Sequence, residues 1–203
     1  MFWYGEKFNE IKSMCLIEYA NYLHDKKDIK KAIEYYNKAL RLDPDNYYAY
    51  GGLTAAFIEK RLFREALEYY NKTLAIKKSD ILMYILGVII YESLGESVLA
   101  KEAMDKALKF FNNNLAALYN HLAYTYFSFN MNEKAEFYCK EAIKMYPNET
   151  GLHNNLAKIY LAQGKFHEAR DEFQKVLKLT SDKRYKKYAI ENIKKINHKE
   201  IQA

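Results

Sequence analysis

Apolar side chains recur at three- and four-residue spacing along most of the chain, as in Leu118, Leu122 and Tyr126 followed by Ala135, Tyr138, Cys139 and Ala142. That period matches the turn of an α-helix and not the two-residue alternation of a strand, so each stretch predicts a helix with one buried face. The stretches are short and come in pairs. Gly95 and Gly164 stand inside two of the pairs, where a helix that ends needs a residue able to turn left-handed; Asn130 can serve in another. Pro44 and Pro147 follow the second member of two pairs, where a residue without an amide donor stops a helix.

The pairs are copies of one another. Aligned on Ala32, Ala66, Ala100, Ala135 and Ala169, they recur with a period of 34 or 35 residues. Four residues later stand Tyr36, Tyr70, Met104, Cys139 and Phe173, and nine earlier Leu23, Phe57, Tyr91, Tyr126 and Tyr160. Twelve earlier come Ala20, Thr54, Val88, Ala123 and Ala157, mostly small. Small residues belong where two backbones cross closely, and large ones fill the space beside the crossing. Each copy is therefore expected to be a helical hairpin, and the protein all-α.

These residues resemble the tetratricopeptide repeat (TPR), a degenerate motif of about this length with small residues at helix crossings, an aromatic late in the first helix and a proline after the second. The resemblance implies a right-handed α-solenoid superhelix of five TPR hairpins, at 13–46, 47–80, 81–115, 116–149 and 150–183. An aromatic extension, 1–12, precedes them, and a basic capping helix and tail, 184–203, follows. The extra residue of the third unit is expected in the polar turn Asn112–Asn114, where an insertion costs little. Lys27 and Arg61 stand where the family has glycine, and Val88 replaces a small residue beside Gly87.

In this family the first helices line a concave face that holds a peptide. Carried over position by position, that groove would be lined by Asn21, His24, Tyr48, Ile58, Leu82, Ile85, Ile89, Asn120, Tyr124, Phe127, Asn154 and Lys158. An aliphatic and aromatic middle implies a ligand with apolar anchors, such as one face of an amphipathic helix, while Asn120, Asn154 and Lys158 would fix its polar backbone or an acidic end. Some members clamp a terminal carboxylate; here Asn21 matches one clamp residue, but Ile17 fills the slot that needs a lysine. The expected role is a protein-binding scaffold or adaptor, without catalysis and without a cofactor.

Composition narrows the alternatives. Half the residues are hydrophobic, but no run reaches the roughly 20 apolar residues of a membrane span, and no signal-like segment leads the chain. A cytoplasmic location is the expectation. Cys15 and Cys139 are far apart in sequence and read as buried thiols of a reducing compartment. The five histidines lack a metal-binding spacing, and neither a nucleophile elbow nor a phosphate-cradling glycine loop is present.

Charge is uneven. From Lys175 to Lys199 nine Lys or Arg stand against Asp182 and Glu191, a net of +7, whereas the whole chain carries +6. Lys186, Lys187, Lys194 and Lys195 could meet nucleic acid, an anionic surface or an acidic partner, or be a solvated helix face. Aromatic residues interleave with them only at Tyr185 and Tyr188. A further alternative is a non-catalytic module of a larger enzyme. The N-terminal aromatics suggest two arrangements: Phe8 and Ile11 extend the first helix and the aromatics cover the first repeat, or the arm docks on a neighbouring molecule and makes a homo-oligomer.

Overall fold

A computed structural model describes the backbone of residues 2–77 and 80–201, and the side chains of 7–77 and 80–198. Helices are the only regular elements among the described residues: α1 (Phe2–Asp25), α2 (Ile29–Leu42), α3 (Tyr47–Glu59), α4 (Phe63–Ile76), α5 (Ile81–Leu94), α6 (Ser97–Phe110), α7 (Leu115–Ser128), α8 (Asn132–Met145), α9 (Thr150–Ala162), α10 (Phe166–Leu179) and α11 (Lys183–Ile201). They form two compact units, Met1–Ala107 and Leu108–Ala203. In the first, α1 lies against α2, α3 against α4, and α4 against α5; in the second, α7 against α8, α8 against α9, α9 against α10, and α10 against α11.

Both kinds of repeated position have their physical counterpart. The aligned alanines Ala32, Ala66, Ala100, Ala135 and Ala169 are buried, as are Ala20, Thr54, Val88, Ala123 and Ala157 across from them. The turn between the two helices of a hairpin closes each time with one left-handed residue: Lys27 (φ 64°), Arg61 (63°), Gly95 (79°), Asn130 (55°) and Gly164 (73°). Each donates its amide to the carbonyl three residues back, and the next residue reaches five back, as in Gly95 to Glu92 and Glu96 to Tyr91. Three of the five slots thus carry a side chain where the left-handed conformation is costly.

The leading helices start on side-chain caps. Asn46 Oδ1 accepts from the amides of Tyr48 (3.0 Å) and Ala49 (3.1 Å), and Asp80 Oδ1 from Leu82 (2.8 Å) and Met83 (3.3 Å). Asn114 and Glu149 cap α7 and α9 in the same way. These caps locate the extra residue of the third period. The segment 111–114 is as long as its counterparts 43–46 and 146–149, so the insertion is Leu115, the first residue of α7, rather than part of the asparagine turn. That turn differs in backbone instead, with Asn112 (φ 50°) and Asn113 (φ 61°) both left-handed.

Two glycines are required by close approach. A Cβ on Gly52 would stand 2.4 Å from the ring of Tyr36, and one on Gly87 would stand 2.5 Å from the hydroxyl of Tyr70. Gly87 therefore makes room for the Tyr70 ring. At the far end, α11 buries Ala189 and Ile196 and half-buries Ile193, while Lys186, Lys187, Lys194 and Lys195 are exposed. Tyr188 stays partly exposed, its ring edge-on to Phe173 at 5.9 Å. Phe8 and Ile11 lie within α1, as the helical extension predicts, but they are exposed; the side chains of Phe2, Trp3 and Tyr4, with Met1, lie outside the described residues. No described helix is long and apolar enough to cross a membrane.

Candidate functional site

In the first unit the residues carried over from the family divide into surface, bonded and buried groups. Tyr48 and Leu82, each the second residue of its helix, are 63% and 53% exposed. Asn21 accepts a hydrogen bond from the hydroxyl of Tyr36 at 2.6 Å, and that tyrosine's pKa is pushed up to about 12 by burial. His24 Nε2 lies 2.9 Å from Glu59 Oε2, and the other oxygen of Glu59 accepts from Lys27 Nζ at 2.7 Å. Those bonds tie α1 and its turn to α3. Ile58, Ile85 and Ile89 are buried at 1% exposure or less. The physical reason is plain in α5, where every residue from Ile85 to Ile90 is buried: a stretch apolar on every side is enclosed there and offers its isoleucines to the core.

In the second unit the same positions form a more polar surface. Tyr124 is 63% exposed and Phe127 half-buried on α7. Asn120 Oδ1 accepts from Asn155 Nδ2 at 3.0 Å, which joins α7 to α9. Lys158 Nζ stands 5.1 Å from the ring centre of Tyr188 on α11. Asn154, one turn before Lys158 on the same face of α9, is 6% exposed, and its side-chain oxygen has no hydrogen-bond partner. A buried acceptor left unpaired costs free energy. A cavity of about 250 Å³ opens at the start of α7 and α9, lined by Asn114, Ala116, Ala117, Asn120, Tyr146, Glu149 and Leu152.

The groove reading leaves out a buried ionic group. His153, 3% exposed, places Nδ1 2.6 Å from Glu172 Oε2 on α10 and Nε2 2.7 Å from the carbonyl of Pro147. Both ring nitrogens face acceptors, an arrangement that favours the doubly protonated imidazolium. The bond to Glu172 raises the His153 pKa against the opposing effect of burial, with the Pro147 carbonyl adding to the rise. Burial opposes ionisation of Glu172 too, but the bonds from His153 and Lys175 more than offset it and its pKa is lowered. The sequence did carry one signal: His153 occupies the slot that holds Leu16, Tyr50, Tyr84 and Tyr119 in the other repeats. His121, by contrast, is exposed with its ring 5.2 Å from Phe111.

The two cysteines differ. Cys139 is buried as expected; burial lifts its thiol to about 12, and it donates to the Leu152 carbonyl at 3.3 Å. Cys15 is exposed on α1, contrary to the expectation of a buried thiol. Among the described residues no three His, Cys, Asp or Glu side chains converge as a metal site.

Helical hairpins repeated around one left-handed turn residue, with capped leading helices that present tyrosine and asparagine, define a helical-repeat scaffold of the kind that binds other proteins. Tetratricopeptide repeat models match residues 13–46, 116–149 and 151–183. The chain is a tetratricopeptide repeat protein. Solved structures share its fold. YrrB, described as a TPR protein with an unusual peptide-binding site, matches with a TM-score of 0.51 at 19% identity, over 87% of this chain and 90% of its own. PilF of Pseudomonas aeruginosa gives 0.55 at 13%, over 94% and 91%, and a tetratricopeptide repeat protein from Parabacteroides merdae gives 0.56 at 19%, over 89% and 69%. No curated protein matches the chain in sequence.

Proposed function

We propose that the chain is a non-catalytic scaffold or adaptor that binds a peptide segment of a partner protein on the leading-helix face of its second unit. The observation that carries this reading is Tyr124, 63% exposed on the leading helix α7, in the unit where Asn120 joins that helix to α9, which carries Lys158. Tyr124 and Phe127 would take apolar anchors, as from one face of an amphipathic segment, and Lys158 an acidic residue. With Ile58, Ile85 and Ile89 enclosed, the apolar surface on offer is aromatic rather than aliphatic. The neighbour YrrB, described as having a peptide-binding site, is consistent with this use of the fold.

Selection of displayed peptides on the purified protein, followed by titration of the peptides retained, tests the proposal. Tyr124→Glu and Lys158→Glu should each weaken binding about tenfold, the effect of removing one good anchor. Raising the salt should change the affinity little. If no peptide is retained, or if binding vanishes with salt and on neutralising Lys186, Lys187, Lys194 and Lys195, the basic helix α11 is the functional surface and the groove is not.

A further inference from the structure

The exposed face of α1 has a pattern that the peptide-binding reading does not use. Ser13, Ile17, Ala20 and Leu23 are buried on one side of the helix. On the opposite side Phe8, Ile11, Cys15, Tyr19 and Tyr22 are exposed, four of them large apolar side chains between 47% and 57% accessible. At the angular step of an α-helix these five fall within a strip roughly 80° wide, the width of a helix-pairing seam. A solvated helix face of this length is ordinarily charged or polar, so a strip of five such residues marks a contact surface.

The strip is symmetric about its middle. Phe8 and Tyr22 lie seven residues to either side of Cys15, and Ile11 and Tyr19 lie four to either side. We propose that two copies of the chain associate through this strip, their α1 helices antiparallel about a twofold axis at Cys15. In that arrangement Phe8 meets Tyr22 of the partner subunit, Ile11 meets Tyr19 of the partner subunit, and the two Cys15 side chains face each other at the centre. An isologous contact requires this self-complementarity; a surface made for an unrelated partner does not.

Charge agrees with the same register. Lys7 and Asp25 share one flank of the strip, and the twofold axis brings Lys7 within half a turn of Asp25 of the partner subunit on both sides. On the other flank Lys12, which lies 4.3 Å from the ring of Phe8 in the single chain, comes beside Tyr19 of the partner subunit. A head-to-tail contact of α1 with α11 would instead set Lys12 and Lys26 against Lys186, Lys187, Lys194 and Lys195.

Sedimentation velocity of the full chain between roughly 1 and 200 µM, where a small helix-pair interface dissociates, should show a monomer giving way to a dimer. Ile11→Glu with Tyr22→Glu should abolish the dimer and leave the thermal melt in place, because both side chains are exposed in the monomer. Orientation is read by cross-linking in a Cys15→Ser background with a short bismaleimide, to which the buried Cys139 does not respond. A mixture of Phe8→Cys and Tyr22→Cys proteins should cross-link, and neither should cross-link alone. A monomer at every concentration, a dimer indifferent to the two glutamates, or variants that link only to themselves would each overturn the proposal.

Discussion

At the scale of the residue, Gly95 and Gly164 among the five left-handed turn positions separate backbone cost from every other effect. Nothing lies within 4 Å of the place a Cβ would take on Gly95, so Gly95→Ala tests conformation alone. It should lower stability by about 1 kcal/mol in a chemical melt. Gly52 is the opposite case, because its backbone conformation is ordinary and the obstacle is the ring of Tyr36. Gly52→Ala should cost about 2 kcal/mol through overpacking, and pairing it with Tyr36→Phe should not restore that, since the ring itself is the obstruction. The glycines at 95 and 164 were legible as turn residues from their place before the repeated alanines. Lys27 and Arg61 were not, because propensity argues against a left-handed lysine or arginine and only the repeat register points to one.

At the scale of the element, caps and the buried ion pair decide how helices begin and join. Asp80→Ala removes the acceptor for two amides at the start of α5 and should cost about 1 kcal/mol, measured as a lower melting temperature. The His153–Glu172 pair gives the protein a pH dependence with a definite sign. His153 has its pKa raised in the fold, so its contribution is fully present below the ordinary histidine value, about 6.5, and is lost as pH rises through the folded value. Glu172 has its pKa lowered, so its contribution is present above the ordinary glutamate value and is lost as pH falls through the folded one. The melting temperature should therefore decline from about pH 6 upward, and His153→Gln should flatten that decline. A decline of equal slope in the variant would place the titration elsewhere. Sequence could show His153 out of pattern, but its partner lies on α10 and its second acceptor is a backbone carbonyl in a loop. Neither follows from helical periodicity.

At the scale of the whole molecule, the repeat made the fold legible and left the surface less so. Recurring alanines and aromatics specify which sides of the helices meet, because close crossings tolerate few residue types. Ligand-facing positions obey no such rule, and a helix as uniformly apolar as α5 gives no sign of which isoleucines reach solvent. That is why, of positions carried over by the same register, Tyr124 is exposed while Ile85 and Ile89 belong to the core. The same ambiguity hid Cys15, whose residue type suggests burial and whose position on α1 denies it.

One turn residue has a wider consequence. Lys27 occupies a slot that glycine would fill with less strain, yet it reaches across to Glu59, which also holds His24. The first hairpin thereby gives up some stability of its own and gains a tie to the second. In a linear array, the balance between those two quantities sets how far disorder at one brick spreads to the next. Exchanging Lys27 for glycine should therefore let the leading hairpin fray by itself, seen as earlier hydrogen exchange in α1 and α2 than in α3 and α4, even where overall resistance to denaturant hardly moves.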